Sequence, residues 1–173
     1  MSNDLRTNRG RTMSPTNVGL ALGTTSTYTT TASTACSIDS LFGVVLTAQT
    51  NTATPTTDAA SGSAFLPLTP NKATVIVFGV NAAGAIKMAQ GSIVPTEIGV
   101  TTTKGAFINA PQFPNLPDDF CPVGYALVRT APSAATWTAG TSSWTASGVF
   151  SGINGTTTCA QVNGTLPERP VLA

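Results

Sequence analysis

Apolar residues occur along this chain in short stretches, each soon broken by Gly, Pro or a polar turn. Nowhere do they hold the 3.6-residue spacing of a helix. Val18, Leu20 and Leu22 alternate with smaller residues, which predicts a half-buried strand. The Thr-rich run that follows, up to Thr34, is β-prone because branching at Cβ restricts χ1. Ala35–Asp39 and Gly43–Ala48 read as two more strands, with Ser40–Phe42 near their turn. Thr50–Ser63 reads as a long loop of small polar residues around Pro55.

The clearest strand is Ala73–Val80, almost continuously apolar and β-branched, so it is expected to be central and covered on both faces. Asn81–Gly84 supplies a turn, with Gly84 suited to positive φ, and Ala85–Gln90 returns with Lys87 pointing to solvent. Ser92–Val94 and Ile98–Val100 read as short strand or edge segments around Pro95. Val123–Thr130 is a second strong strand. Trp137–Phe150 reads as a hairpin with its tip at Ala139–Thr141 and Trp144 on the return, and Thr156–Val162 as a last strand.

Ala106–Pro122 is different. Pro111, Pro114, Pro117 and Pro122 remove backbone donors, so this cannot be a central strand. It also carries Phe107, Phe113, Leu116 and Phe120, which predicts packing across the end of a sheet. Asp118 is placed to cap a brief helical turn. Short strands divided by Gly and Pro turns give the expected class: all-β, a β-sandwich (jelly-roll-like) of short antiparallel strands. Residues 1–17, polar and without apolar periodicity, read as an extended N-terminal arm, and residues 18–173 as a single β-sandwich domain.

Composition narrows the chemistry. Charged residues make up 9% of the chain, far below the usual ~25%. There are thirty-one threonines and no histidine. The expected surface is therefore covered by hydroxyls rather than ions. A formal net charge of +1 gives no case for nucleic acid or a membrane. It also leaves little repulsion between copies, which favours assembly. No apolar stretch is long enough for a transmembrane helix, and the N-terminus has no apolar signal-like region.

Candidate reactive groups are few. Cys36, Cys121 and Cys159 are odd in number and lack CxxC spacing; they read as small buried residues, with a single disulfide as the other reading. A Ser or Cys nucleophile would have no His as base. Asp118 and Asp119 are adjacent, whereas a glycosidase needs two acids across a cleft, so they read as turn residues. Lys72, Lys87 and Lys104 read as solvated residues at strand edges, and no phosphate loop is present. No cofactor or metal is expected, and the chain is read as not an enzyme. The candidate contact residues are Arg6, Arg9 and Arg11 of the arm, with Trp137 and Trp144, whose rings suit core or subunit-interface packing.

The run Gly105–Arg129 (GAFINAPQFPNLPDDFCPVGYALVR) resembles a segment of virion structural proteins of tailed bacteriophages. Phe65–Leu68, Asn71–Lys72, Val75–Val80, Ala89–Gly91 and Leu166–Pro170 follow the same pattern, so the resemblance spans roughly Ala64 to Pro170. It implies a β-rich capsid decoration, or cement, protein that clamps joints between major capsid subunits. The implied location is the capsid surface of the virion, after synthesis in the host bacterial cytoplasm. A tail or head-fibre component is the alternative, and a cell-wall hydrolase a remote one.

Overall fold

The computed structural model describes residues 17–38, 41–153, 157–162, 164 and 166–171. Eleven strands follow in order: β1 (Leu20–Leu22), β2 (Thr27–Thr30), β3 (Thr34–Ile38), β4 (Leu41–Leu46), β5 (Gln49–Ala53), β6 (Lys72–Asn81), β7 (Ile86–Gln90), β8 (Val94–Pro95), β9 (Phe120–Thr130), β10 (Val149–Ser151) and β11 (Ala160–Gln161). All strand pairs are antiparallel. The protein is all-β and sandwich-like. No helix among the described residues is long and apolar enough to cross a membrane.

The two longest strands, β6 and β9, pair with each other at the centre of a six-stranded sheet. Each is flanked on its outer side by two short strands, β7 and β8 on β6, and β10 and β11 on β9. The opposing layer comprises two small sheets, β1-β2-β5 and β3-β4. Between the layers lies the main core. Ile76, Phe78 and Val80 of β6 and Cys121, Val123, Ala126 and Val128 of β9 meet Leu20, Leu22, Tyr28, Cys36, Ile38 and Leu46.

The other face of the large sheet is also buried. Val75, Val77, Phe120, Tyr125 and Leu127 form a second cluster, covered by Phe107, Phe113 and Leu116 of the Pro-rich segment. Up to Asp119 that segment covers the sheet without joining its centre, but the expectation that none of Ala106–Pro122 is central strand is corrected at its end: Phe120, Cys121 and Pro122 open β9 and pair with Asn81, Val80 and Gly79 of β6. The β-branched run of β6 is thus central and two-faced, as its sequence predicts.

A bulge reconciles the two faces of β9. Phe78 pairs with Gly124 but Gly79 pairs with Pro122, so Val123 is the extra residue. The insertion shifts the alternation, so the main-core residues change from Cys121 and Val123 to Ala126 and Val128. It also accommodates Pro122, which cannot donate to a regular ladder. Beside it, Phe120 lies over the bare Cα of Gly79; a Cβ there would stand 2.1 Å from Phe120 Cε1. Gly79→Ala is therefore expected to destabilise by about 1–3 kcal/mol through overpacking. Adding Phe120→Leu should recover part of that loss, so the double variant should be less unstable than the sum of the single effects in urea melts.

The β6–β7 turn forms as predicted. Asn81 Oδ1 accepts from the N–H groups of Ala83 and Ala85 (3.2 and 2.9 Å), and Gly84 adopts φ 77°. Lys87 is exposed on β7.

Three further expectations are corrected and one is extended. Gln49–Ala53, read within and beside a loop, is a strand, because β2 supplies its partner despite the lack of an apolar stripe. Trp137–Phe150 is not a hairpin: Trp137 bridges to Leu68, and only Val149–Ser151 forms a strand, paired to β9. Asp118 caps no helix; it stands in a turn closed by Phe120 N–H donating to the Pro117 carbonyl at 3.1 Å. Threonine hydroxyls are not only a surface coat. Thr30, Thr54, Thr74 and Thr130 are buried, and their oxygens satisfy backbone groups that no ladder reaches. Thr130 Oγ1, for example, donates to the Thr69 carbonyl at 2.7 Å.

Candidate functional site

Of the predicted contact residues, Arg6, Arg9 and Arg11 lie outside the described residues. Trp137 and Trp144 are each 1% exposed, so they line no free surface and are core residues. The loop between β9 and β10 turns inward and brings the two rings into a tilted contact at 5.1 Å between centroids, with Trp144 reaching Phe78 and Phe78 reaching Tyr28, each at 6.1 Å. Trp137 Nε1 donates to the Ser143 carbonyl at 2.9 Å. Trp144 Nε1 is buried and finds no acceptor among the described residues.

All three thiols are buried and none forms a disulfide. Cys36 on β3 and Cys121 on β9 meet between the layers. The hydrogen bond to Cys36, then burial, then the charge of Cys36 push the Cys121 thiol well up. Burial pushes the Cys159 thiol up to about 12, against a smaller opposing pull from a bond to the Leu22 backbone. Such thiols are protonated at neutral pH and sheltered from reagents. Native protein is expected to leave all three unmodified by a thiol-reactive dye, and urea-unfolded protein to react at three sites.

Two clefts carry ionisable groups. The smaller, about 190 Å³, includes Asp58, Asn81, Lys87, Asp119 and Phe120 in its lining. Asp58 is committed to its own turn and to the end of β7. Its Oδ1 accepts from Gln90 N and Ala60 N, both at 3.1 Å, and its Oδ2 from Ser61 Oγ at 2.7 Å. Of the adjacent pair Asp118 and Asp119, only Asp119 lines this cleft. The larger, about 780 Å³, lies between Ser92–Val94, Asn109–Phe113 and Glu168–Pro170. The chain is tied down there by Val171 N–H, which donates to the buried Tyr125 hydroxyl at 2.9 Å.

Among the described residues, the most exposed large apolar side chains stand elsewhere. Ile98 is 83% and Val100 77% exposed, both in the loop from Glu97 to Ala106 that follows β8. The sequence predicts a strand or edge segment here; the structure has a protruding loop instead. Its base is closed by the Thr96–Phe107 bridge and by Glu97 N–H donating to the Ala106 carbonyl at 2.9 Å. Its tip is closed by Thr103 N–H donating to the Val100 carbonyl, while Val100 N–H donates to Thr103 Oγ1 at 3.1 Å. Ser133 N–H holds the Thr101 carbonyl at 3.0 Å.

Two cations lie at this loop. The Arg129 guanidinium rests 4.4 Å from the centre of the Phe107 ring, and its Nη1 donates to the Gly105 carbonyl at 3.5 Å. Lys104 Nζ lies 5.8 Å from the centre of the Phe150 ring. Lys104 is half-buried rather than a fully solvated edge residue. Burial, and then the Arg129 charge, hold its ammonium below the usual lysine value. Burial likewise lowers Arg129. The sequence offers little to find this arrangement: Arg129 and Lys104 are far apart along the chain and meet only through the fold.

No protein-family model, curated protein or solved structure matches this chain.

Proposed function

We propose that this chain is a structural protein of a tailed-bacteriophage particle, a decoration protein that binds the outer shell and stabilises contacts between major capsid subunits. The observation that carries this reading is how its side chains are used. The thiols and Asp58 serve the fold, while Val45, Leu66, Ile98, Val100 and Ile108 stand exposed on a chain with few charges. That is a surface suited to being covered by a partner, since little charge must be desolvated. The segment resembling phage virion proteins, Ala64 to Pro170, corresponds to most of the large sheet with its Pro-rich cover.

The mechanism is mechanical. A sheet buried on both faces forms a stiff body, and each copy would cover a specific interface of more than about 1,000 Å² on the shell. Copies of this chain associate with one another, as a dimer or trimer, and the arm with Arg6, Arg9 and Arg11 extends over neighbouring capsid subunits. The protein acts on the capsid surface of the virion, after synthesis in the host cytoplasm.

Counting copies on purified particles tests the reading. Decoration predicts copies in proportion to capsomers, and heads assembled without the protein should rupture at lower temperature or internal pressure. A handful of copies at one vertex would point to a tail or head-fibre component. Heads equally robust without it, with no copies bound, would refute the proposal.

A further inference from the structure

We propose that the loop from Glu97 to Ala106 is the surface that docks on the shell, and that the shell protein meets it with an apolar recess bearing a carboxylate at its rim. This rests on the decoration reading.

Single exposed apolar residues are ordinary. Here Ile98 and Val100, the two most exposed large apolar side chains among the described residues, share one loop, and Ile108 follows just beyond it. The loop is also built to hold its shape. Hydrogen bonds close its base, its tip and its contact with Ser133. At Gly105 a Cβ would stand 1.7 Å from the Glu97 carbonyl oxygen, so the two sides approach more closely than a side chain allows. A loop held in this way loses little freedom on binding, so its apolar contacts convert more fully into affinity.

Charge defines the rest of the partner. Lys104 stands half-buried at the loop with its ammonium over the Phe150 ring and Arg129 nearby, and a carboxylate opposite Lys104 would accept a charge-assisted hydrogen bond from it. Glu97 is exposed on the same loop, which disfavours a polyanion such as nucleic acid. Ile98 and Val100 need apolar groups opposite them, which a phosphate backbone does not offer. A protein recess with a single acidic rim fits both requirements.

The test uses purified protein added to heads assembled without it, with bound copies counted after sedimentation. Wild type and Lys87→Glu, altered on the exposed side of β7, are expected to bind alike. Ile98→Asp/Val100→Asp should weaken binding by at least about tenfold, as expected for a central apolar anchor. Lys104→Glu should weaken it comparably and remove most of the sensitivity to raising salt from about 50 to about 500 mM. Ile98→Ser, a milder change at a solvated position, guards against misfolding, and each variant is checked for an unchanged melting temperature. If wild type binds and the loop variants bind equally well, the docking assignment is overturned and the decoration reading survives. If the loop variants lose only self-association, the loop joins copies of this chain and the assignment is again wrong. If wild type itself fails to bind, both proposals fall.

Discussion

Trp137→Ala is expected to lose about 3–5 kcal/mol, a large fraction of the roughly 5–15 kcal/mol that holds a domain folded. The indole packs on Trp144, donates to the Ser143 carbonyl, and is carried by backbone bonds to Leu68 in both directions (2.7 and 2.9 Å). Truncation removes apolar contact, opens a cavity and strands a carbonyl together. Urea titration should show the midpoint falling with an unchanged slope. A sharper comparison uses phenylalanine. Trp137→Phe removes a donor that is in use, whereas Trp144→Phe removes an N–H with no acceptor among the described residues. An unsatisfied buried polar group is unfavourable by about 1–3 kcal/mol, so Trp144→Phe should be the milder change by about 1 kcal/mol or more. Equal losses would mean that the two indoles are not distinguished as the hydrogen bonds imply.

The two Trp residues also show where sequence reading stops. Their hairpin reading rests on a turn at Gly140, and that turn exists, with φ 78°. A turn does not require strands on either side, and here it helps return an irregular loop into the core. Strands β6, β7 and β9 were legible because continuous or alternating apolar residues demand burial whatever their neighbours are. Strand β5 was not, since its exposed, polar residues are a strand only by virtue of β2 alongside. The inward role of threonine was hidden for a related reason. A hydroxyl can satisfy either water or a stray carbonyl, and only the path of the backbone decides which. Pro-rich cover was legible in kind, because prolines beside phenylalanines leave few other uses. That it covers a whole face, rather than a sheet end, depends on β9 presenting Tyr125 and Leu127 there.

The candidate surface was less legible than the fold. Ile98 and Val100 look like strand residues, and nothing local says that they will lack a covering layer. Lys104 gains its setting from Phe150 and Arg129, neither near it in sequence. The arm residues Arg6, Arg9 and Arg11 stay at the level of sequence. Arg129 offers a way to separate the loop from the body that carries it. Arg129→Met keeps much of the stem while losing the ring contact and the bond to Gly105. It should raise hydrogen exchange within residues 97–106 while the amides of β6 stay protected.

Alkali should unfold this protein well before its peptide bonds or arginines respond. Unfolded cysteine ionises near about 8.5, whereas Cys159 in the fold is pushed up to about 12 and Cys121 well upward. Above about pH 8.5 the unfolded chain therefore releases protons that the folded chain retains. Stability is fully present below that pH and falls as pH rises, at about 1.4 kcal/mol per unit for each thiol. Cys159 alone removes about 2 kcal/mol by about pH 10, and Cys121 adds to the fall in the same sense. Tyr28, raised by burial, adds to the loss at still higher pH. Lys104 acts in the opposite sense, since its lowered value means that the folded state sheds that proton first, but its partial exposure keeps the effect small. Urea midpoints measured from pH 7 to 10 should fall, and Cys159→Val, close in size and unable to ionise, should flatten the fall by about 2 kcal/mol at pH 10. A profile that stays level to pH 10 would mean that these thiols reach solvent, and that the two layers do not seal the core between β1, β3 and β9.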